Sequence, residues 1–254
     1  MVLKTKKHQP NDLSILVLSD GFSFCTQKKS CFYPIEDSNN IDLKAISGFL
    51  DQEELVSETV SLIHLDGFSN IVPLELFEEE NAAFYLSKGL KLASNQQVVF
   101  DVLESYKQVV VYPRDVKKWN VLKELFPSLE TKHATTAILA PLTDFSMGTP
   151  KKQLFVHLRA GAFELFLFQG AQLLFFNSFE QQHVDEFLYY LFYITEQFYL
   201  KPESFKLAFL GAYDHYKEYY EGVQEYHSDV IFLDAPSENR QTKHPVPFLE
   251  NKIV

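Results

Sequence analysis

Few residues in this chain combine the type and the spacing that chemistry needs. Cys25 and Cys31 are the two cysteines. They flank Gln27-Lys28-Lys29-Ser30, which reads as a hairpin turn, so the two could face each other across adjacent strands. In a reducing compartment two free thiols are the expected state, and two cysteines without a nearby histidine make a poor zinc site. The eight histidines are scattered. His64 and His157 fall in strands, where a packing histidine is the default, and His215 shares a surface helix face with Tyr219. Glu164 lies within a strand, and its side chain is expected to face solvent. There is no Gly-x-Ser-x-Gly, His-Glu-x-x-His, P-loop or Gly-x-Gly-x-x-Gly. No catalytic residue and no metal ligand is assigned from motifs.

The elements that would have to position a site are easier to read. Leu13–Ser19 is an apolar strand, Asp20-Gly21 a strong hairpin signal, and Phe22–Thr26 the returning strand. Cys31–Ile35 reads as a third strand, Asp42 caps a helix carrying Leu43, Ile46, Phe49 and Leu50, and Thr59–Leu65 is a strand again. From Lys152 the order repeats: strands Gln153–Leu158, Ala162–Phe168 and Gln172–Ser178, a helix over Gln181–Leu200, and strand Phe205–Leu210. Both halves open β-β-β-α-β, and placing Gly21 on Gly161 sets Ile15 beside Phe155. An internal duplication is the economical reading. Between the copies, helices are expected over Arg114–Phe126 and Ala137–Phe145, and the Ser146–Pro150 break divides the chain into lobes at 1–148 and 149–254. His244–Leu249 reads as an extended tail. Tyr189, Tyr190, Tyr193 and Tyr199 surround the apolar stripe of the long helix. They form either an aromatic binding surface or one side of a helix buried between layers.

Composition bounds the function classes. The 254 residues carry 23 Lys+Arg and 34 Asp+Glu, so 23 − 34 gives a net charge of −11. That balance disfavours a general nucleic-acid binder or adsorption to anionic membranes. No apolar run approaches the ~20 residues of a membrane span, and the polar N-terminus lacks a signal peptide's apolar stretch, so a cytoplasmic protein is expected. Nine glycines are few for phosphate-binding loops. Phe (24) and Tyr (13) are abundant, which suits interfaces as well as cores.

Two lobes with this opening order resemble the actin-like ATPase superfamily, which includes Hsp70, sugar kinases and pilus-assembly proteins. The chain more closely resembles an uncharacterised bacterial domain-of-unknown-function family, number 3822. The resemblance is carried by Leu16-Val-Leu-Ser-Asp-Gly-Phe22, Asn70-Ile-Val-Pro-Leu-Glu-Leu-Phe77 and Phe155-Val-His-Leu-Arg-Ala-Gly-Ala-Phe-Glu-Leu165, and it spans nearly the whole chain. It implies an α/β fold of two ribonuclease H-like lobes with mixed sheets, and no established activity.

Active members of the superfamily hold ATP and Mg²⁺ with an Asp and a Gly on the first hairpin of each lobe and a Gly-Gly turn near the adenosine. Mapped here, the candidate positions are Asp20, Gly21, Arg159, Gly161 and Gly211. Asp20-Gly21 fits the first hairpin. Arg159-Ala160-Gly161 lacks the carboxylate, and Phe209-Leu-Gly-Ala-Tyr213 keeps one glycine. Two of three stations are thus degraded. The expectation is a non-catalytic interaction scaffold, without a cofactor, that binds another protein or itself. The alternative is an ATPase or kinase-like switch with an altered site.

Overall fold

A computed structural model describes residues 12–26, 29–37, 40–55, 59–87, 92–210 and 216–233. The chain divides into two compact units between Ala140 and Pro141. In the first unit, β1 (Asp12–Leu18), β2 (Gly21–Cys25), β3 (Ser30–Pro34), β4 (Thr59–His64) and β8 (Glu130–His133) form one sheet in the order β3-β2-β1-β4-β8. β4 runs parallel to β1 and β8, whereas β2 and β3 are antiparallel additions. One face is apolar because the strands alternate. Leu13, Ile15, Val17, Phe22 and Phe24 point to α1 (Leu43–Gln52) and α3 (Val116–Leu125), which supply Ile46 and Leu122. Asp42 caps α1 as expected, its Oδ1 accepting from Lys44 N (2.8 Å) and Ala45 N (3.2 Å). A smaller antiparallel sheet, β5-β7-β6, joins β5 (Asn70–Pro73), β7 (Gln108–Asp115) and β6 (Gln96–Leu103), with α2 (Ala82–Ser87) on one face.

The second unit repeats the plan. β9 (Lys152–Arg159), β10 (Ala162–Gln169), β11 (Gln172–Glu180), β12 (Phe205–Leu210) and β13 (Val230–Phe232) pair in the order β11-β10-β9-β12-β13, with the same strand senses. Its apolar face packs on α5 (Val184–Gln197) and α6 (Lys217–Gln224) through Leu154, Val156, Phe163, Phe187 and Tyr220. α5 and α6 approach closely at Gly222, where an added Cβ would sit 3.2 Å from a Leu188 methyl.

Several expectations are corrected. In the first hairpin Leu18 pairs with Gly21, so Ser19-Asp20 is the turn and Gly21 begins β2. In the second, Arg159 pairs with Ala162, so Ala160-Gly161 is the turn. Gly21 therefore matches Ala162, and Ile15 matches Val156 rather than Phe155. The two share a core-facing orientation that a one-residue slip would reverse. Cys25 pairs with Ser30 and Phe24 with Cys31, which places the cysteines on opposite faces of the sheet, and both are free thiols. Helix α5 covers Val184–Gln197, less than Gln181–Leu200: His183 is still extended at its N-cap, and Tyr199 adopts a left-handed conformation (φ 51°) beyond its C-terminal end. Helix α4 (Ala134–Ser146) starts earlier than expected and retains Pro141 inside it. Gly211, Tyr213, His215 and the expected tail His244–Leu249 lie outside the described residues.

Candidate functional site

The parallel strands β1, β4 and β8 of the first unit end together, at the edge where polar groups of open α/β sheets gather. Asp115 caps α3 here: its Oδ1 accepts from Lys117 N (2.9 Å) and Lys118 N (3.0 Å), and its Oδ2 from Asn95 Nδ2 (2.7 Å). The cap sets the first turn of α3 against the sheet, and side chains there lean back toward the helix N-terminus. Lys118 is thereby buried with its ammonium on the β1–β2 turn. It donates to the carbonyls of Leu18 and Ser19 (3.1 Å to the latter), and Asp66 Oδ2 lies 3.5 Å away. Burial holds the Asp66 carboxyl up, at about 6, even though Lys118 pulls it down. His64, 1 % exposed, donates to or accepts from Thr131 Oγ1 through Nε2 (3.1 Å), and its Nδ1 is 3.9 Å from Asp66 Oδ1. Burial, then the neighbouring His133, Arg114 and Lys118, push His64 down to about 3, so it is neutral at physiological pH.

A second layer fixes this cluster. Tyr112 lies beside the rings of His64 and His133 (centroids 5.7 and 4.8 Å), and its hydroxyl donates to Asp101 Oδ1 (3.0 Å). Asp101 Oδ2 also accepts from His133 N (2.8 Å) and Thr136 Oγ1 (2.6 Å). Burial raises the Asp101 carboxyl, against the pull of those hydrogen bonds. The Arg114 guanidinium stacks 4.3 Å above Trp119.

The hairpin of the second unit is fastened differently. His157 and Glu164 are directly opposite across β9 and β10. Glu164 Oε2 meets His157 Nδ1 at 2.8 Å, and Oε1 accepts from Arg159 Nε at 2.7 Å. Glu164 is 4 % exposed, so the expectation that it faces solvent is overturned. The reason is its place on a sheet face that is itself covered, together with Phe155, Phe166 and Phe168. Burial pushes the Glu164 carboxyl up, but the Arg159 guanidinium and the His157 hydrogen bond outweigh it and hold it at about 2.

Asp20 and Gly21 stand at the first hairpin, Arg159 and Gly161 at the second, and Gly211 lies outside the described residues. The two glycines serve different ends. A Cβ on Gly21 would sit 2.2 Å from the Tyr33 carbonyl oxygen, so its bareness admits β3. Gly161 has open space around it and a left-handed φ of +72°, as a two-residue turn requires. Cys31 donates to Glu53 Oε2 (3.2 Å), and burial, then Glu53, pushes its thiol up to about 11, far from a reactive thiolate. Among the described residues, no three His, Cys, Asp or Glu side chains are grouped to hold a metal ion. Sequence reasoning missed Asp66, Asp101, Lys118 and His133. For two of them the available signal was position, since His133 closes β8 and Asp66 lies two residues past the end of β4.

A family model described as "Protein of unknown function (DUF3822)" matches residues 2–230, and the chain belongs to that family. Its structure is similar to that of a Bacteroides thetaiotaomicron protein with an actin-like ATPase fold and unknown function. The TM-score is 0.73 at 22 % identity, covering 88 % of this chain and 90 % of that one. It is also similar to a chain of the PilM–PilN type IV pilus biogenesis complex, with a TM-score of 0.58 and 13 % identity over 88 % of each chain. At these identities the likeness shows the fold, which is that of the actin-like ATPases. No curated protein matches the chain.

Proposed function

We propose that this protein is a non-catalytic interaction scaffold on an actin-like frame whose nucleotide site has degenerated. The observation that carries this reading is the buried Arg159–Glu164–His157 cluster. At the second hairpin, where an active relative presents an Asp to metal-bound phosphate, the turn is Ala160-Gly161 and the adjacent cation is held by Glu164. A guanidinium cannot ligate Mg²⁺, and drawing Arg159 onto a phosphate would take from a buried carboxylate its cationic partner, leaving it His157 alone. In the first unit Lys118 is likewise held by turn carbonyls and Asp66, and Gly21 makes room for β3 instead of for a ligand. These residues fit a nucleotide–metal group poorly, and no catalytic step is derived through one.

The protein is read further as a bacterial, cytoplasmic, internally duplicated pair of lobes, 1–148 and 149–254, whose partner is another protein or a second copy. Two sheets of one topology support the duplication, and no helix among the described residues is long and apolar enough to cross a membrane. A chain of this fold also occurs in a complex of PilM and PilN. Asp20 on the β1–β2 turn favours the second reading, a nucleotide-dependent switch or ATPase with an altered site.

Thermal unfolding with and without millimolar ATP and Mg²⁺ separates the two. A ligand at ~100 Kd that binds only the folded state adds roughly 2.7 kcal/mol. The scaffold reading expects no shift. A shift abolished by Asp20→Ala would overturn it and establish the switch.

A further inference from the structure

The outward face of α5 has a composition that a merely solvated helix does not need. Asp185, Tyr189, Tyr193 and Glu196 follow one another at spacings of four, four and three, which places them in one line along the helix. The helix contains no Lys or Arg, so within it its carboxylates lack the i,i+4 basic partners that usually stabilise an exposed helix face. Tyr189 and Tyr193 are 64 % and 47 % exposed, and their rings stack at 6.2 Å with 17° between planes. They are also held from below. Tyr189 meets Tyr190 edge-on, Tyr190 stacks on Phe179, and Phe179 stacks on core Phe163.

Tyr199 lies just past the helix end. Leu200 N returns to Thr195 O (2.8 Å) and Tyr199 N to Glu196 O (3.0 Å), a helix stop whose left-handed position favours glycine. A tyrosine there is strained, and its ring is 91 % exposed, so burial does not compensate. An unfavourable backbone state retained for a solvent-facing ring points to a use for that ring outside the fold. Neighbouring α6 adds carboxylates: Glu218 and Glu221 are exposed against a single Lys217, which pairs with Glu221.

We infer that this tyrosine line docks a cationic, arginine-rich polypeptide segment. A guanidinium can lie flat on a tyrosine ring while its edge forks to a carboxylate, and rings one helical turn apart offer successive arginines repeated seats. A second copy of this face would oppose carboxylate to carboxylate, and nucleic acid would bring phosphates to the same groups. The inference deepens the scaffold reading by naming the kind of partner, but its test does not depend on nucleotide.

The probe is a fluorescent peptide of alternating Arg and Gly, followed by anisotropy with the full chain at about 0.15 M salt, where a diffuse charge attraction is largely screened. The wild type is expected to bind, and Tyr189→Ala/Tyr193→Ala/Tyr199→Ala to weaken binding about tenfold at unchanged net charge. Tyr199→Gly is the second variant. It relieves the left-handed strain, so it is expected to unfold no earlier than the wild type while still losing affinity. A lysine version of the peptide is expected to bind more weakly. Absence of wild-type binding overturns the inference, as does a triple variant that binds like the wild type. So does an equal loss on Glu79→Gln/Glu80→Gln in the first unit, because the attraction would then be bulk charge. Failure in any of these ways leaves the nucleotide measurement, and with it the scaffold reading, untouched.

Discussion

The two units solve one structural problem with different chemistry. Each must fasten the hairpin between its first two strands, and each does so with a buried cation and a buried carboxylate. In the first unit the cation comes from outside the sheet: Lys118 on α3 reaches over and holds backbone carbonyls, with Asp66 beside it. In the second, cation and anion both belong to the hairpin, and Arg159 and His157 converge on Glu164. Backbone carbonyls are neutral acceptors, so the first arrangement leaves Asp66 poorly compensated and its carboxyl raised. Two charge-assisted hydrogen bonds leave Glu164 well compensated and its carboxyl depressed. One topology thus tolerates opposite electrostatic states of the carboxylates beside its two hairpins.

The difference can be broken most severely at Glu164. Glu164→Gln keeps the shape but removes the buried charge on which Arg159 and His157 converge. Breaking a buried pair from one side costs about 3–5 kcal/mol. Urea unfolding is expected to show that loss. A loss under about 1 kcal/mol, the size of a surface pair, would mean that Arg159 is stabilised mainly by solvent. The milder first-unit counterpart, Lys118→Met, is expected to cost less, because Asp66 with its carboxyl at about 6 can take up a proton and become neutral.

The two glycines test the same contrast at the level of backbone. Gly21→Ala drives a methyl into the Tyr33 carbonyl and must displace β3, an overpacking cost toward the upper end of about 1–3 kcal/mol. Gly161→Ala meets nothing and costs only the left-handed conformation, about 1 kcal/mol. Equal midpoints in parallel denaturant titrations would contradict the close approach at β3.

How much of this was legible beforehand depended on the range of each signal. Local signals read well. The Asp42 cap, the apolar run of β1, the large–small alternation of β2 and the stripe of α5 each need only a few neighbouring residues, and the repeated β-β-β-α-β order followed from them. What failed was register and burial. Asp20-Gly21 looks like a turn pair, but β3's carbonyl needs Gly21 in the strand, a fact set by a residue twelve positions away. Glu164 looked solvent-facing because alternation identifies two faces without saying that both are covered. Strands β8 and β13 were missed because a four- or three-residue strand is defined by its parallel neighbour more than by its own sequence. Lys118 and Asp66 are 52 positions apart, with no pattern connecting them.

Acid titration offers the finest discrimination between the units, since the signs differ. Glu164 is depressed from 4.5 to about 2, so its stabilisation is present above 4.5 and is lost as pH falls toward 2. Asp66 is raised from 3.8 to about 6. Between those values the folded chain keeps a proton that the unfolded chain releases, so stability falls as pH rises through the window. His64, depressed from 6.5 to about 3, acts the other way: the unfolded chain binds the extra proton, and stability rises with pH between those values. In the wild type the Asp66 and His64 slopes oppose each other between about pH 4 and 6, giving a near-plateau there above the acid fall due to Glu164. Asp66→Asn removes one of the two opposing slopes. Stability measured by urea unfolding should then climb with pH across that window by up to about 1.4 kcal/mol per unit. A flat variant curve across that window would show that His64 is protonated in the folded state. The first unit's buried cluster would then be carrying a second positive charge beside Lys118, which its hydrogen bond to Thr131 alone could not compensate.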